Sequence, residues 1–117
     1  MKITKLTNQV SVSDQITCAN IAELKAADVE VIVCNRPDGE SADQPSMQEI
    51  SAAAVREGIE FHAIPFEPGK FTADDQQQLL GILKTNKKIH AYCRSGNRSQ
   101  QLCQAVVEST QANTDSS

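Results

Sequence analysis

The feature that most constrains this chain is a hydrophobic period that switches back and forth along it. "VEVIVCN" (29–35), "IEFHAIP" (59–65) and "KIHAY" (88–92) are short, apolar and β-branched. Between them, apolar residues recur at three- and four-residue spacing. Runs of the first kind predict buried strands, and runs of the second predict helices with one apolar face. Strands separated by helical stretches of about 10 to 15 residues imply βαβ crossovers and a mostly parallel sheet. The expected class is α/β: a three-layer sandwich whose sheet, of about four or five strands, is flanked by helices.

The punctuation agrees with that reading. "KITKL" and "VSVS" are two further short strands near the start. "TCANIAELKAAD" reads as a helix with Thr17 as N-cap and with Ile21 and Leu24 on one face. "RPDGESADQP" is a loop. Ser46 and Glu49 form a capping box, and Ile50, Ala53 and Ala54 follow at helical spacing until Gly58 stops the helix. "TADD" (72–75) opens another helix, with Leu79, Leu80 and Leu83 as its stripe. A last helix is expected from about Arg98 or Ser99, with Leu102, Cys103, Val106 and Val107 inward. Residues 1–108 form one domain in this reading, and "STQANTDSS" (109–117) is a disordered polar tail.

Composition narrows the function classes. The chain has 117 residues, 39% of them hydrophobic, which suits one domain with a real core. Three Phe, one Tyr and no Trp leave no platform for stacking nucleic-acid bases. A net charge of -4 argues against nucleic acid and anionic membranes as partners. No N-terminal apolar segment or membrane-length run is present, so a cytoplasmic protein is expected. The cysteines Cys18, Cys34, Cys93 and Cys103 show no CxxC and no His partner at zinc spacing. Neither a metal nor another cofactor is expected.

"YCRSGNRS" (92–99) carries the chemistry. It lies between a strand and a helix, where ligands bind in open parallel sheets. Backbone N–H groups from Arg94 to Ser99 can curl into an anion nest, and the following helix points its positive end at the same place. Both effects favour a thiolate, so Cys93 is the expected nucleophile. Gly96 allows the curvature, Asn97 tolerates unusual backbone angles, and Ser95 completes the loop. Arg98 has the planar fork that suits an oxyanion, and Ser99 is a donor for the sulfur.

"CRSGNR" resembles the active-site loops of rhodanese-type sulfurtransferases and of cysteine-dependent phosphatases. Four residues separate Cys93 from Arg98. Tyrosine and dual-specificity phosphatase loops carry five, so the length matches the rhodanese pattern. "VSVSDQIT", "VIVCNRPDGE", "QPS", "IPFEPG" and "YCRSGNRS" together resemble the phosphatase-like domain of beta-lactamase hydrolase-like proteins, over about residues 8 to 108. That resemblance implies a cysteine-phosphatase-like scaffold. It also implies a possible partner in a persulfide dioxygenase-like or other sulfide-metabolism enzyme.

A phosphatase needs a general acid. Asp38 and Glu40 follow the 29–35 strand, and Glu67 follows the 59–65 strand. By resemblance to dual-specificity phosphatases, Glu67 is nearest to the acid's position, with Asp38 as the other candidate. Arg36 either lines the pocket rim or holds Asp38. Sulfur transfer needs no acid, and a second thiol would assist it. Cys34 ends a core strand and is the candidate for that role. Cys103 reads as core, Cys18 has no assigned role, and His62 and His90 read as packed or edge residues. Three functions remain: sulfur transfer through a Cys93 persulfide, favoured by loop length; phosphomonoester hydrolysis through a cysteinyl phosphate; and non-catalytic oxyanion binding. The expected substrate is a small anion: thiosulfate, a persulfide or a phosphoester.

Overall fold

A computed structural model describes the backbone of residues 1–115 and the side chains of residues 1–110. In chain order the elements are β1 (Thr4–Lys5), β2 (Val10–Ser13), α1 (Cys18–Ala26), β3 (Val31–Cys34), α2 (Met47–Arg56), β4 (Glu60–Ala63), α3 (Ala73–Leu83), β5 (Ile89–Tyr92) and α4 (Asn97–Asp115). The sheet runs β1-β2-β5-β3-β4. Among the described residues, only the β1–β2 pair is antiparallel. The strand–helix alternation therefore produces the expected α/β sandwich, with a mixed five-stranded sheet.

Strand period two divides the core. Val31 and Val33 of β3 and Ile89 and Ala91 of β5 face one way, onto Leu79 and Ile82 of α3 and Leu102 and Val106 of α4. Ile32, Cys34 and Tyr92 face the other way, onto Ile21 and Leu24 of α1 and Ile50, Ala53 and Ala54 of α2. β5 is paired on both edges and buried along its whole length. It delivers the chain to the carboxyl edge of the sheet with no freedom of direction.

The caps behave as their residues dictate. Ser46 Oγ accepts from the Glu49 amide at 3.1 Å, and Thr72 Oγ1 accepts from the Asp75 amide at 3.1 Å. Gly58 takes φ +74°, the left-handed stop of α2. β1 is only two residues long, shorter than "KITKL" suggests, because only Thr4 and Lys5 pair with β2. α4 begins at Asn97 and continues as helix to Asp115, through most of the stretch expected as a tail. Residues 116 and 117 of that tail lie outside the described residues. No described helix is long and apolar enough to cross a membrane.

Ile32 is fully buried between β5, α1 and α2, so Ile32→Ala should cost about 2 to 5 kcal/mol. Gly81 lies inside α3 with open space where a Cβ would sit. Gly81→Ala should therefore stabilise by about 0.5 to 1 kcal/mol. Urea midpoints at constant m-value measure both.

Candidate active site

Cys93 follows β5 directly and is completely buried. Its Sγ accepts a hydrogen bond from the Gly96 amide at 3.1 Å. The loop is held against the β2–α1 connection: Cys93 N donates to Ser13 O at 3.4 Å, and Gln15 N donates to Arg94 O at 3.3 Å. Gly96 sits at φ +97°, and a Cβ there would lie 3.3 Å from the Ser13 carbonyl carbon. Backbone conformation and contact both require glycine at this position. Since α4 starts at Asn97, its unpaired amides and positive end face the sulfur's loop. Ser99 is wholly buried, and its Oγ has no hydrogen-bond partner among the described residues, so the donation to the sulfur expected from the sequence is not made.

Arg98 is fixed by a carboxylate. Its Nη1 and Nη2 donate to Glu40 Oε2 and Oε1, each at 2.8 Å, and Nη1 also donates to the Phe66 carbonyl at 3.1 Å. Glu40 Oε1 accepts from Arg36 Nε at 2.9 Å as well. Arg36 in turn reaches Gln15 Oε1 at 2.9 Å. Two buried guanidinium groups thus share one carboxylate. The hydrogen bonds from Arg98, with help from Arg36, outweigh desolvation and hold Glu40 at a pKa of about 2. Glu40 in turn raises the pKa of Arg98, with a smaller contribution from Cys93. Arg94, Ser95 and Asn97 are exposed, and with Glu40, Pro68 and Arg98 they line an open depression above the loop.

The other candidates are placed elsewhere. Asp38 Oδ1 accepts from the Met47 amide at 2.9 Å and so caps α2. Glu67 pairs with Lys70 at 3.2 Å, both side chains well exposed. Cys34 lies on the α1/α2 side of the sheet, donates its thiol to Arg36 O at 3.2 Å, and is raised in pKa by burial. Cys103 lies on the buried face of α4, where burial pushes its thiol up to about 12. Cys18 is exposed, its thiol 3.7 Å from Glu49 O. His62 lies 3.4 Å from Glu60 Oε2. His90 is buried, with Nδ1 2.7 Å from Ser11 Oγ and Nε2 2.8 Å from Ser13 Oγ. Burial lowers its pKa to about 4, so the ring is neutral near pH 7.

The sequence offered Glu40 only as a loop acid beside Asp38, and gave no sign of Ser13, Gln15 or Phe66 as parts of the site. The acidic residue joined to Arg98 is Glu40, while Asp38 and Glu67 have other partners. Arg36 holds Glu40, where the sequence offered the rim or Asp38.

A family model for the beta-lactamase hydrolase-like protein phosphatase-like domain matches residues 2–110. The chain belongs to that family. A beta-lactamase hydrolase-like protein of Xylella fastidiosa is 29% identical over 87% of this chain. The match covers 24% of that relative, so the chain spans about a quarter of the curated relatives' length. A candidate phosphatase from Neisseria meningitidis Z2491 superposes with a TM-score of 0.79 at 29% identity, over 87% of this chain and 73% of that one. Tk-PTP shares the fold with a TM-score of 0.63 at 17% identity, covering 80% of this chain and 61% of that one. The phosphatase-like domain is thus built on a cysteine-phosphatase scaffold.

Gly96→Ala should displace the loop from Ser13 at a cost of about 1 to 3 kcal/mol, read as a lower melting temperature together with weaker vanadate binding. Unchanged binding would contradict this packing. Stability should also fall in acid, in two windows. Between the ordinary His value of 6.5 and about 4, the unfolded chain takes a proton that folded His90 refuses, so stability falls as pH drops, by on the order of 3 kcal/mol. The Glu40 contribution is complete above its ordinary 4.5 and is lost as pH falls toward about 2. Urea midpoints across pH should show the first window flattened in His90→Gln and the second in Glu40→Gln.

Proposed function

We propose that the domain hydrolyses phosphomonoesters through a Cys93 cysteinyl phosphate. The observation that carries this is the Cys93 sulfur, held under the Gly96 amide at the start of α4 with Arg98 locked beside it. Membership of a phosphatase-like family and the cysteine-phosphatase scaffold support the same reading. Loop length alone favours sulfur transfer, but the relatives and structural neighbours lend it no support.

The roles follow from the chemistry. The Gly96 amide and the start of α4 present N–H donors around the Cys93 sulfur, the attacking atom. The same donors then face the equatorial oxygens of the phosphoryl group, where negative charge is shared in the transition state. Arg98 binds two of those oxygens from its preset plane. Glu40 is a positioning residue: it fixes that plane and keeps its own charge.

Turnover of p-nitrophenyl phosphate tests the proposal. Cys93→Ser should abolish it, and Arg98→Lys should reduce kcat/KM by about 10² or more, since a point charge cannot replace a fork. Vanadate should inhibit competitively. Retained turnover in Cys93→Ser would refute the nucleophile, and vanadate binding with no turnover of any ester would favour an oxyanion-binding module.

A further inference from the structure

Hydrolysis of an ordinary ester requires a proton for the leaving oxygen. At the carboxyl edge of the sheet, the acids among the described residues have other partners. Glu40 is the carboxylate bonded to Arg98, and two arginines keep it ionised. Asp38 caps α2 and Glu67 turns out to Lys70. Asp14 Oδ1 accepts from the Lys2 amide at 2.9 Å. His90 has both ring nitrogens on serine hydroxyls beneath the sheet edge. A second observation concerns the depression itself. Arg94 is exposed there, beside Arg98, and has no ion pair among the described residues. One arginine is thus set for the transferred phosphoryl group, and another is free for a second anion.

We propose that the substrates are phosphoanhydrides, whose leaving group is itself an anionic phosphate that departs without a proton and is received by Arg94. This rests on the reading of Cys93 as phosphoryl acceptor. The sulfur–phosphorus bond forms as the bond from phosphorus to the bridging oxygen breaks. The bridging oxygen keeps the electron pair and leaves as phosphate. Water then adds to phosphorus, the sulfur–phosphorus bond breaks, and Cys93 recovers its electron pair as thiolate. Both protons of the attacking water leave with the released phosphate, as dihydrogen phosphate. No step calls for a protein acid. A phosphate leaves with a pKa of about 6, a tyrosine phenol with about 10, and an alkoxide close to the roughly 15.7 of water.

The test compares kcat/KM for a nucleoside diphosphate, a series of substituted phenyl phosphates and an alkyl phosphate. Without an acid, rates across the phenyl series should fall steeply, by up to about tenfold per unit of leaving-group pKa, and the alkyl phosphate should be lower by at least about 10². The diphosphate should be turned over well. Arg94→Ala should weaken the diphosphate about tenfold more than it weakens a phenyl phosphate. A flat series, or one that steepens in Glu67→Gln or Asp38→Asn, would reveal an acid and overturn the inference while leaving the hydrolase intact. A diphosphate no faster than the alkyl phosphate, or equal losses in Arg94→Ala, would overturn it as well. No turnover of any phosphate compound, with no vanadate binding, would overturn the hydrolase and the inference together.

Discussion

Glu40 holds two buried arginines at once, and the geometry of the site depends on that shared carboxylate. It ties the loop after β3 to the first turn of α4 through Arg98. Through Arg36 it also reaches Gln15, in the connection after β2. Three segments far apart in sequence are therefore fixed around the nucleophile. Buried guanidinium groups without a partner carry a large desolvation cost. One carboxylate offsets it for both, since its two oxygens accept three hydrogen bonds from them.

The sheet supplies the other half of the arrangement. β5 has partners on both edges and helices on both faces, so the residue after Tyr92 has a fixed starting point. Gly96 then lets the loop close onto the Ser13 backbone. His90 and Ser13 sit directly beneath that contact, joined at 2.8 Å. The buried neutral imidazole is thereby tied to the residue whose backbone the loop packs on. A scaffold of this kind does not by itself choose a reaction. The choice lies in what surrounds Cys93: amides, a helix end and a preset fork, with the nearby carboxylate kept ionised.

The architecture was legible because each signal was local. The apolar runs at 31–34 and 89–92, the Ser46/Glu49 and Thr72/Asp75 boxes and the stop at Gly58 each depend on residues within one turn or strand. The loop motif was legible for the same reason. The carboxylates were not. Asp38, Glu40 and Glu67 are all loop acids at the correct edge, and nothing in spacing says which one turns inward. That is decided by long-range contacts, such as the 58-residue separation between Glu40 and Arg98. Cys34 was partly legible: strand period two puts it on the side of Tyr92, while Cys93 comes one residue later. The extra length of α4 was hidden by a polar composition rich in Ser, Thr, Asn and Gln, with no apolar stripe to mark a helix.

The account stands on a covalent bond between Cys93 and phosphorus. The most direct measurement is intact-protein and peptide mass spectrometry after millisecond mixing with p-nitrophenyl phosphate and an acid quench, beside a parallel sample mixed with thiosulfate. The account predicts one added phosphoryl group on the Cys93 peptide, absent in Cys93→Ser, and no added sulfur in the thiosulfate sample. A sulfur adduct on Cys93 with no phosphoryl adduct would contradict it and assign the loop to sulfur transfer.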